Sequence, residues 1–196
     1  MGLEQLSLWV VDVEGNGAAP PEIVELAMVQ VSALELTGTQ RHYLVQPTTP
    51  ISSHVTRIHG ITNEDVTAAP TFLDIEDDVG RWLDGAAVVG HNVKVEVEIL
   101  QRSLLDWSPT RAIDTLRLSR AILPGLASHS LASVGDHLGH TAEARARSGQ
   151  GHHSALFDAT LTALVFIDLA RRALEAGRPD LIDEADILRS TQGGLI

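Results

Sequence analysis

Residues 6–13, LSLWVVDV, form a nearly unbroken apolar run, and the turn formers of Gly15–Pro21 follow at once. This combination predicts a buried strand and then a loop. Two further strands are expected at 23–33, IVELAMVQVSA, and 41–46, RHYLVQ, parted by Thr37-Gly38 and closed by Pro47 and Pro50. Three early strands joined by short turns make a meander. From Thr71 the apolar positions Phe72, Ile75, Val79, Trp82 and Leu83 recur at helical spacing as far as Asp84-Gly85, and the short strand AAVVG comes next. A helix between strands implies a crossover. The pattern continues with a strand at 111–115, helical stretches at 114–123 and 129–138, and an almost wholly apolar helix from about Ser154 to Ala176. AEARARSGQG, at 142–151, reads as a low-complexity loop, and LIDEADILR after Pro179 as an amphipathic segment able to pack on the domain or a partner. The fold class is α/β with one sheet.

Composition narrows the function classes. At 196 residues, with 44% hydrophobic and 20% charged residues, the chain suits one compact domain and is too apolar for general disorder. It has no cysteine, which excludes disulfides, thiolate nucleophiles and Cys-ligated metal; a metal would have to sit on oxygen or histidine. The start MGLEQL lacks a charged leader region, Leu6 stands where myristoylation needs Ser or Thr, and no run reaches 18 uncharged apolar residues. A cytoplasmic protein with no membrane partner is expected. Against 14 Lys and Arg stand 26 Asp and Glu, a net charge of −12, which weighs against any polyanion partner.

Two constellations carry candidate chemistry. Asp12 and Glu14 lie two apart on the first strand, so both extend the face of Leu8 and Val10. Like charges crowded at the end of a buried strand repel, and an oxygen-ligated divalent cation between them is the simplest remedy. In a chain with 26 acids, however, such a pair is more often a solvated strand end. The second constellation is His153 and Asp158. Five residues apart, they would sit about 140° apart on a helix, but Gly149-Gln150-Gly151 lets His153 hang from a segment before the helix while Asp158 joins the stripe of Leu161 and Val165. A helix-capping histidine and a tolerated aspartate remain the plainer account of this pair alone.

Taken together, DVEGNG at 12–17, the following PPEIVELAMVQV, IHGIT at 58–62, VVGHNVKVE at 88–96, IDTLRLSR at 113–120, SHSLASVGDHLG at 128–139 and HSALFDA at 153–159 resemble the DEDDh (DnaQ-like) family of 3′-5′ exonucleases in order and spacing. The resemblance covers about residues 6–170. It implies a ribonuclease-H-like fold, a mixed five-stranded sheet flanked by helices with the second strand antiparallel, over a domain at 1–176. The tail at 177–196 stays unassigned. It also implies that Asp12, Glu14, Asp158 and the acid of the second motif hold two divalent metal ions, Mg²⁺ or Mn²⁺, and that His153 is the general base, with His152 a lesser candidate. The substrate would be a single-stranded nucleic acid end or a short oligonucleotide. A homodimer is left open.

This chain departs from the family pattern in three places. Glu96 stands where the second motif, His91-Asn92-Val93-Lys94-Val95-Glu96, usually ends in aspartate, which implies altered metal spacing and a preference for Mn²⁺. VKVEVEI alternates like a half-buried strand, whereas the resemblance implies a helix from near Asn92 with Glu96 facing the site and Glu98 solvated. Gly15-Asn16 replaces a pair of threonines that contact the terminal nucleotide, so Gly15 would widen the pocket and Asn16 change its polar lining. Ile58, His59 and Gly60 fall where the family packs the last base, or are simply a turn with a buried isoleucine; His91 and Asn92 join the substrate-binding set with the second motif. Arg145 and Arg147, on the expected loop before His153, are candidates for substrate phosphate. His42, His54, His129, His137 and His140 have no ligand-like spacing with acids and read as surface or helix-end residues. Beside the exonuclease stand two alternatives: a phosphodiesterase for short oligonucleotides or a small nucleotide-like substrate, and a catalytically silent binding module on the same fold.

Overall fold

The computed structural model describes residues 7–189; the N-terminal features at 1–6 and the end of the tail at 190–196 lie outside the described residues. Strands β1 (Ser7–Gly15), β2 (Ile23–Ser32) and β3 (Glu35–Leu44) form the meander. Two helices follow, α1 (Ser53–His59) and α2 (Phe72–Leu83), before β4 (Ala87–Gly90), α3 (Lys94–Ser103) and β5 (Arg111–Asp114). The chain continues through α4 (Thr115–Ile122), α5 (Leu131–Leu138), α6 (Thr141–Ser148), α7 (Ala155–Glu175) and α8 (Asp180–Glu184). The sheet order is β3-β2-β1-β4-β5, with β2 antiparallel to both neighbours and β1, β4 and β5 mutually parallel. This is the expected mixed five-stranded sheet.

β1 is central and buried on both faces, which explains its lack of alternation. Leu8 and Val10 face α7, together with Ala27 and Val29 of β2; Trp9 and Val11 face α2 and α3, together with Leu26 and Met28. The two faces therefore have separate cores. α7 anchors the first with Phe157, Leu161, Phe166 and Leu169, all fully buried, each contributing about 1.5–3 kcal/mol by transfer from water. Gly135 of α5 packs so close to this helix that a Cβ there would meet Leu161 side-chain carbon at 2.8 Å. On the second face Trp9 meets Trp82 edge-on at 5.6 Å, and the Arg41 guanidinium covers the Trp82 ring at 3.9 Å.

Three local expectations are corrected. The β2–β3 turn falls at Ala33-Leu34 rather than Thr37-Gly38, which lies inside β3. Both turn residues have positive φ, 52° and 57°, the requirement of a tight two-residue hairpin usually met by Asn or Gly. Leu34 offsets the strain by burial, and its carbonyl accepts from Arg171 at 2.9 Å. The supposed loop at 142–151 is mostly α6: its alanines and charged residues are good helix formers, Ala144 is buried, and Glu143 pairs with Arg147 one turn on. Only the residues between α6 and α7 form the loop. Finally, residues 58 and 59 end a short helix, α1, capped by Gly60 at φ 81°, and Ile58 is 47% exposed rather than buried.

Candidate active site

The acids gather where β1 ends. Asp12 lies opposite Ala27 and Glu14 opposite Glu25 in the β1–β2 register, so both share the α7 side of the sheet. Asp158 sits in the first turn of α7. Carboxylate oxygens of Asp12, Glu14 and Asp158 lie within 4.8 Å of one another, each residue half-buried. Asp12 is held well above the ordinary carboxylate range by burial and by the negative charges of Glu96, Asp158 and Glu14. Burial and the neighbouring Asp158 and Glu25 push Glu14 up to about 8. Burial also raises Asp158, against the lowering effect of its hydrogen bond from the His153 N–H and of both nearby histidines. Such a cluster resists full ionisation unless a cation enters.

Glu96, outside that convergent group, adds its charge from α3. The alternating VKVEVEI folds as α3, with Val93, Val97 and Leu100 forming the buried stripe at helical spacing. Glu96 is 8% exposed, and its Oε2 is buried with no hydrogen-bond partner. Burial, with Asp114 and Glu14 adding to it, pushes Glu96 up to about 8. Glu98 points to solvent and pairs with Lys94 at 3.6 Å. The segment is a helix, as the resemblance implies, with Glu96 buried and Glu98 exposed. His91 and Asn92 lie at the entry to α3, with Asn92 exposed. His91 Nδ1 meets Thr115 Oγ1 and its Nε2 meets the His129 carbonyl, both at 2.9 Å. Asn92, at φ 72°, donates its backbone N–H to Asp114 Oδ1 at 2.9 Å. These two residues mount α3.

The histidine loop is exposed. His153 has φ 65° and donates its backbone N–H to Asp158 Oδ2 at 3.2 Å, leaving its ring in solvent. The His152 ring lies edge-on against Phe157 at 4.5 Å, with Nδ1 3.8 Å from Asp158 Oδ1. Arg145, carried by α6, places its guanidinium 5.8 Å from the Phe157 ring centre and beside Gly151. Arg147 lies elsewhere: it binds Glu143 at 2.7 Å and lines a groove with His140 and Asp168. On a helix, two residues apart means about 200°, so only one of the two arginines reaches the loop.

Beside the acids a cleft of about 230 Å³ is lined by Val13, Glu14, Gly15, Pro21, Ile58, His59, Val95 and Ile99, among others. His59 Nδ1 accepts from the Ile61 N–H at 3.1 Å, so Nε2 carries the proton and donates to the Gly15 carbonyl at 3.3 Å. Burial lowers its pKa and favours this neutral form. A Cβ at Gly15 would approach Pro21 Cβ at 3.3 Å. Asn16 does not line the cleft. It is fully buried, its amide nitrogen binding Glu22 and Thr49 and its oxygen accepting from the Ala18 and Glu22 N–H groups. A short polar residue there closes the loop after β1 rather than facing a ligand.

Sequence reasoning overlooked Glu25. This buried β2 carboxylate accepts the first free N–H of α7, from Ala155, at 2.8 Å, with Ser154 Oγ at 3.4 Å and His42 Nε2 at 2.6 Å. Burial acts to raise its pKa, but hydrogen bonds from His42 and Ala155 outweigh it and the net shift is downward. An acid within the apolar run IVELAMV was the available signal. Histidine spacing within the sequence hid the partners of His42 and of His140, which meets Asp168 at 3.1 Å, because both partners come from other elements.

Comparisons with known proteins agree with this geometry. The RNase_T exonuclease family model matches residues 9–166. A DNA polymerase III subunit epsilon-like protein of Rhodobacter capsulatus is 32% identical over 174 residues, covering 85% of this chain, which spans only 24% of that relative's length. The DNA polymerase III subunit epsilon of Aquifex aeolicus is 28% identical over 166 residues, covering 82% of this chain and 78% of its own. The structure of exonuclease X in complex with 5′ overhanging duplex DNA superposes with a TM-score of 0.69 at 26% identity, covering 89% of this chain and 99% of that one. Sheet order, acid cluster and these likenesses converge: the chain belongs to the exonuclease family of DEDDh, DnaQ-like type, with a ribonuclease-H-like fold.

Proposed function

We propose that the chain is a metal-dependent 3′-5′ exonuclease that releases nucleoside 5′-monophosphates from single-stranded DNA or RNA ends. The observation that carries this is the convergence of Asp12, Glu14 and Asp158 within 4.8 Å, with the buried Glu96, whose Oε2 has no hydrogen-bond partner, close enough for its charge to act on Asp12. Four crowded carboxylates with raised pKa values are a donor set for hard divalent cations, and two such ions would balance four negative charges. When bound there, Mg²⁺ or Mn²⁺ would polarise the scissile phosphate and acidify the attacking water.

The chain's own groups supply the rest. The cleft between β1, α1 and α3 would take the terminal base, Ile58 and Val95 giving apolar walls and Gly15 letting the backbone approach. His153, exposed on a short loop tied to Asp158 through its backbone, would swing in and accept the proton of the attacking water. Glu25 would hold the first turn of α7, and with it Asp158, in place. Arg145 beside the loop would attract the substrate phosphate. One observation favours short substrates within this reading: with a net charge of −12 and Arg147 committed to Glu143, long-range attraction for a polyanion is weak, which suits distributive action on ends.

Incubating the protein with 5′-labelled single-stranded DNA, RNA and dinucleotides, in Mg²⁺, Mn²⁺ or EDTA, tests the proposal. A metal-dependent ladder shortened from the 3′ end, absent in Asp12→Asn, is expected. No metal-dependent shortening at any length overturns it. Cleavage of dinucleotides alone would select the small-substrate phosphodiesterase, and metal-independent binding without turnover the silent module.

A further inference from the structure

The segment after α7 takes no part in the acid cluster, and the family match ends before it, at residue 166. Its contacts are nevertheless specific. Beyond α8 the chain runs antiparallel along the outer edge of β5: the Ile187 N–H donates to the Ala112 carbonyl at 2.9 Å, the Asp114 N–H donates to the Ala185 carbonyl at 3.0 Å, and Asp186 pairs opposite Ile113. The Asp186 carboxylate, in a residue 1% exposed, accepts from the Ala112 N–H at 3.1 Å, the Leu188 N–H at 3.2 Å and Arg111 Nε at 2.9 Å. Arg111 also binds Asp183 at 2.7 Å, and Asp183 binds Arg189 at 2.7 Å. A carboxylate buried this deeply is tolerated only because its oxygens are satisfied. The arrangement closes the free edge of the sheet.

That edge also carries the mount of α3. Asp114, the last residue of β5, accepts the Asn92 and Leu116 N–H groups on one oxygen, both at 2.9 Å. Asn92 is the positive-φ residue at which the chain turns toward α3, and Thr115, next to Asp114, bonds to both His91 and the Gly90 carbonyl. Hydrogen bonds thus run from the Ala185 carbonyl to the Asp114 N–H, and from the Asn92 N–H to the Asp114 carboxylate, four residues before Glu96. Glu96 Oε2 has no hydrogen-bond partner, and the hydrogen bond that acts on its carboxylate comes from its own backbone, so the placement of α3 governs where the carboxylate sits.

We infer that Ala185–Arg189 is a strap that positions Glu96, with Asp186 and Arg111 as its positioning residues: they fix the reach of that carboxylate toward Asp12 and Glu14 without touching ion or substrate. The inference rests on the reading of the four acids as metal ligands. Mn²⁺ titration of the full chain, followed by the paramagnetic resonance signal of free Mn²⁺, tests it without turnover. Asp186→Ala should weaken Mn²⁺ binding about tenfold, the scale seen for partners that orient metal ligands. Asp186→Asn, which retains an acceptor for the backbone N–H groups, should recover part of that loss. Combining Asp186→Ala with Glu96→Gln should be no worse than Glu96→Gln alone, since both act through one carboxylate. Amide exchange at Asn92 should also quicken in Asp186→Ala. If that variant does not fold, Arg111→Gln carries the same cycle. Additive losses, or unchanged Mn²⁺ affinity, overturn the strap. If the wild-type chain binds no Mn²⁺, the metal reading fails by itself, and unchanged exchange at Asn92 would overturn the mechanical link separately.

Discussion

Asp12 and Glu14 are carried by β1, paired with β2 along its length, and Asp158 by the long, largely buried α7. Glu96 instead arrives in the first turn of α3 after the short bend 91–93 between β4 and that helix. β1 is paired with β2 throughout and with β4 at Leu8–Val10, and α7 is buried over most of its 21 residues. Rotating either would tear out core. α3 packs Val97, Ile99 and Leu100 into the second core, but it is short, and its entry, just before Glu96, is also set by hydrogen bonds at Asp114, Thr115 and His91. The difference teaches that one site can combine a fixed half with a more adjustable half, the second set by hydrogen bonds at a helix entry as well as by packing.

Substitutions can break or sharpen that contrast. The largest effect is expected from the fixed half: Asp12→Asn or Asp158→Asn should lower metal-dependent turnover about 10³-fold, measured as release of labelled 5′-monophosphate. His153→Ala should follow, with a loss of about 10²-fold or more in kcat. His152→Ala should cost much less; if it costs as much, the proton falls to the wrong histidine in the proposed mechanism. On the adjustable half, Glu96→Gln should cost about 10–100-fold in metal affinity or activity, and Glu98→Gln nothing measurable. Equal losses would mean that both glutamates reach the cluster. Glu25→Gln should leave the fold intact but remove about 1–3 kcal/mol of stability by weakening the clamp on α7, read as a lowered midpoint in urea.

A smaller, graded effect distinguishes the acids by sign. Glu14 and Glu96, both pushed up to about 8, keep protons in the folded state that the unfolded chain releases near its ordinary 4.5. Stability of the metal-free protein therefore falls as pH rises from about 4.5 to 8 and stays low above that range. Glu25 has the opposite sign: its lowered pKa contributes stability above the ordinary carboxylate range, lost as pH falls through its folded value. Melting curves from pH 4 to 9 should show the decline, and Mg²⁺ or Mn²⁺ should abolish it above pH 7. A decline unaffected by either cation would contradict their binding at this cluster.

The same contrast governed what could be read from the residues alone. β1 and α7 announced themselves through long apolar runs, and the shared face of Asp12 and Glu14 followed from the two-residue strand period. α3 alternates like a strand, because Val95 is an apolar residue facing solvent and Glu96 an acid facing inward. Only the family resemblance pointed to a helix there. Contacts between elements distant in sequence were hidden: nothing near Asn16 indicates that Glu22 and Thr49 would enclose it, and nothing near His42 names Glu25. α6 was obscured by composition, since a run of alanine and arginine signals neither a buried face nor a boundary.

The walls of the cleft have a consequence for how this chain can change. Ile58 and Val95 are 47% and 44% exposed, whereas the loop behind them is locked by the buried Asn16. Substitutions at exposed positions usually alter stability by about 0.5 kcal/mol or less. If the cleft takes a terminal base as proposed, preference for one base over another can therefore drift, or be selected in a library at these two positions, with the scaffold and the acids left alone. On that reading recognition and folding draw on separate residues, and this member of the exonuclease family is a scaffold whose taste can be rewritten without relearning how to fold.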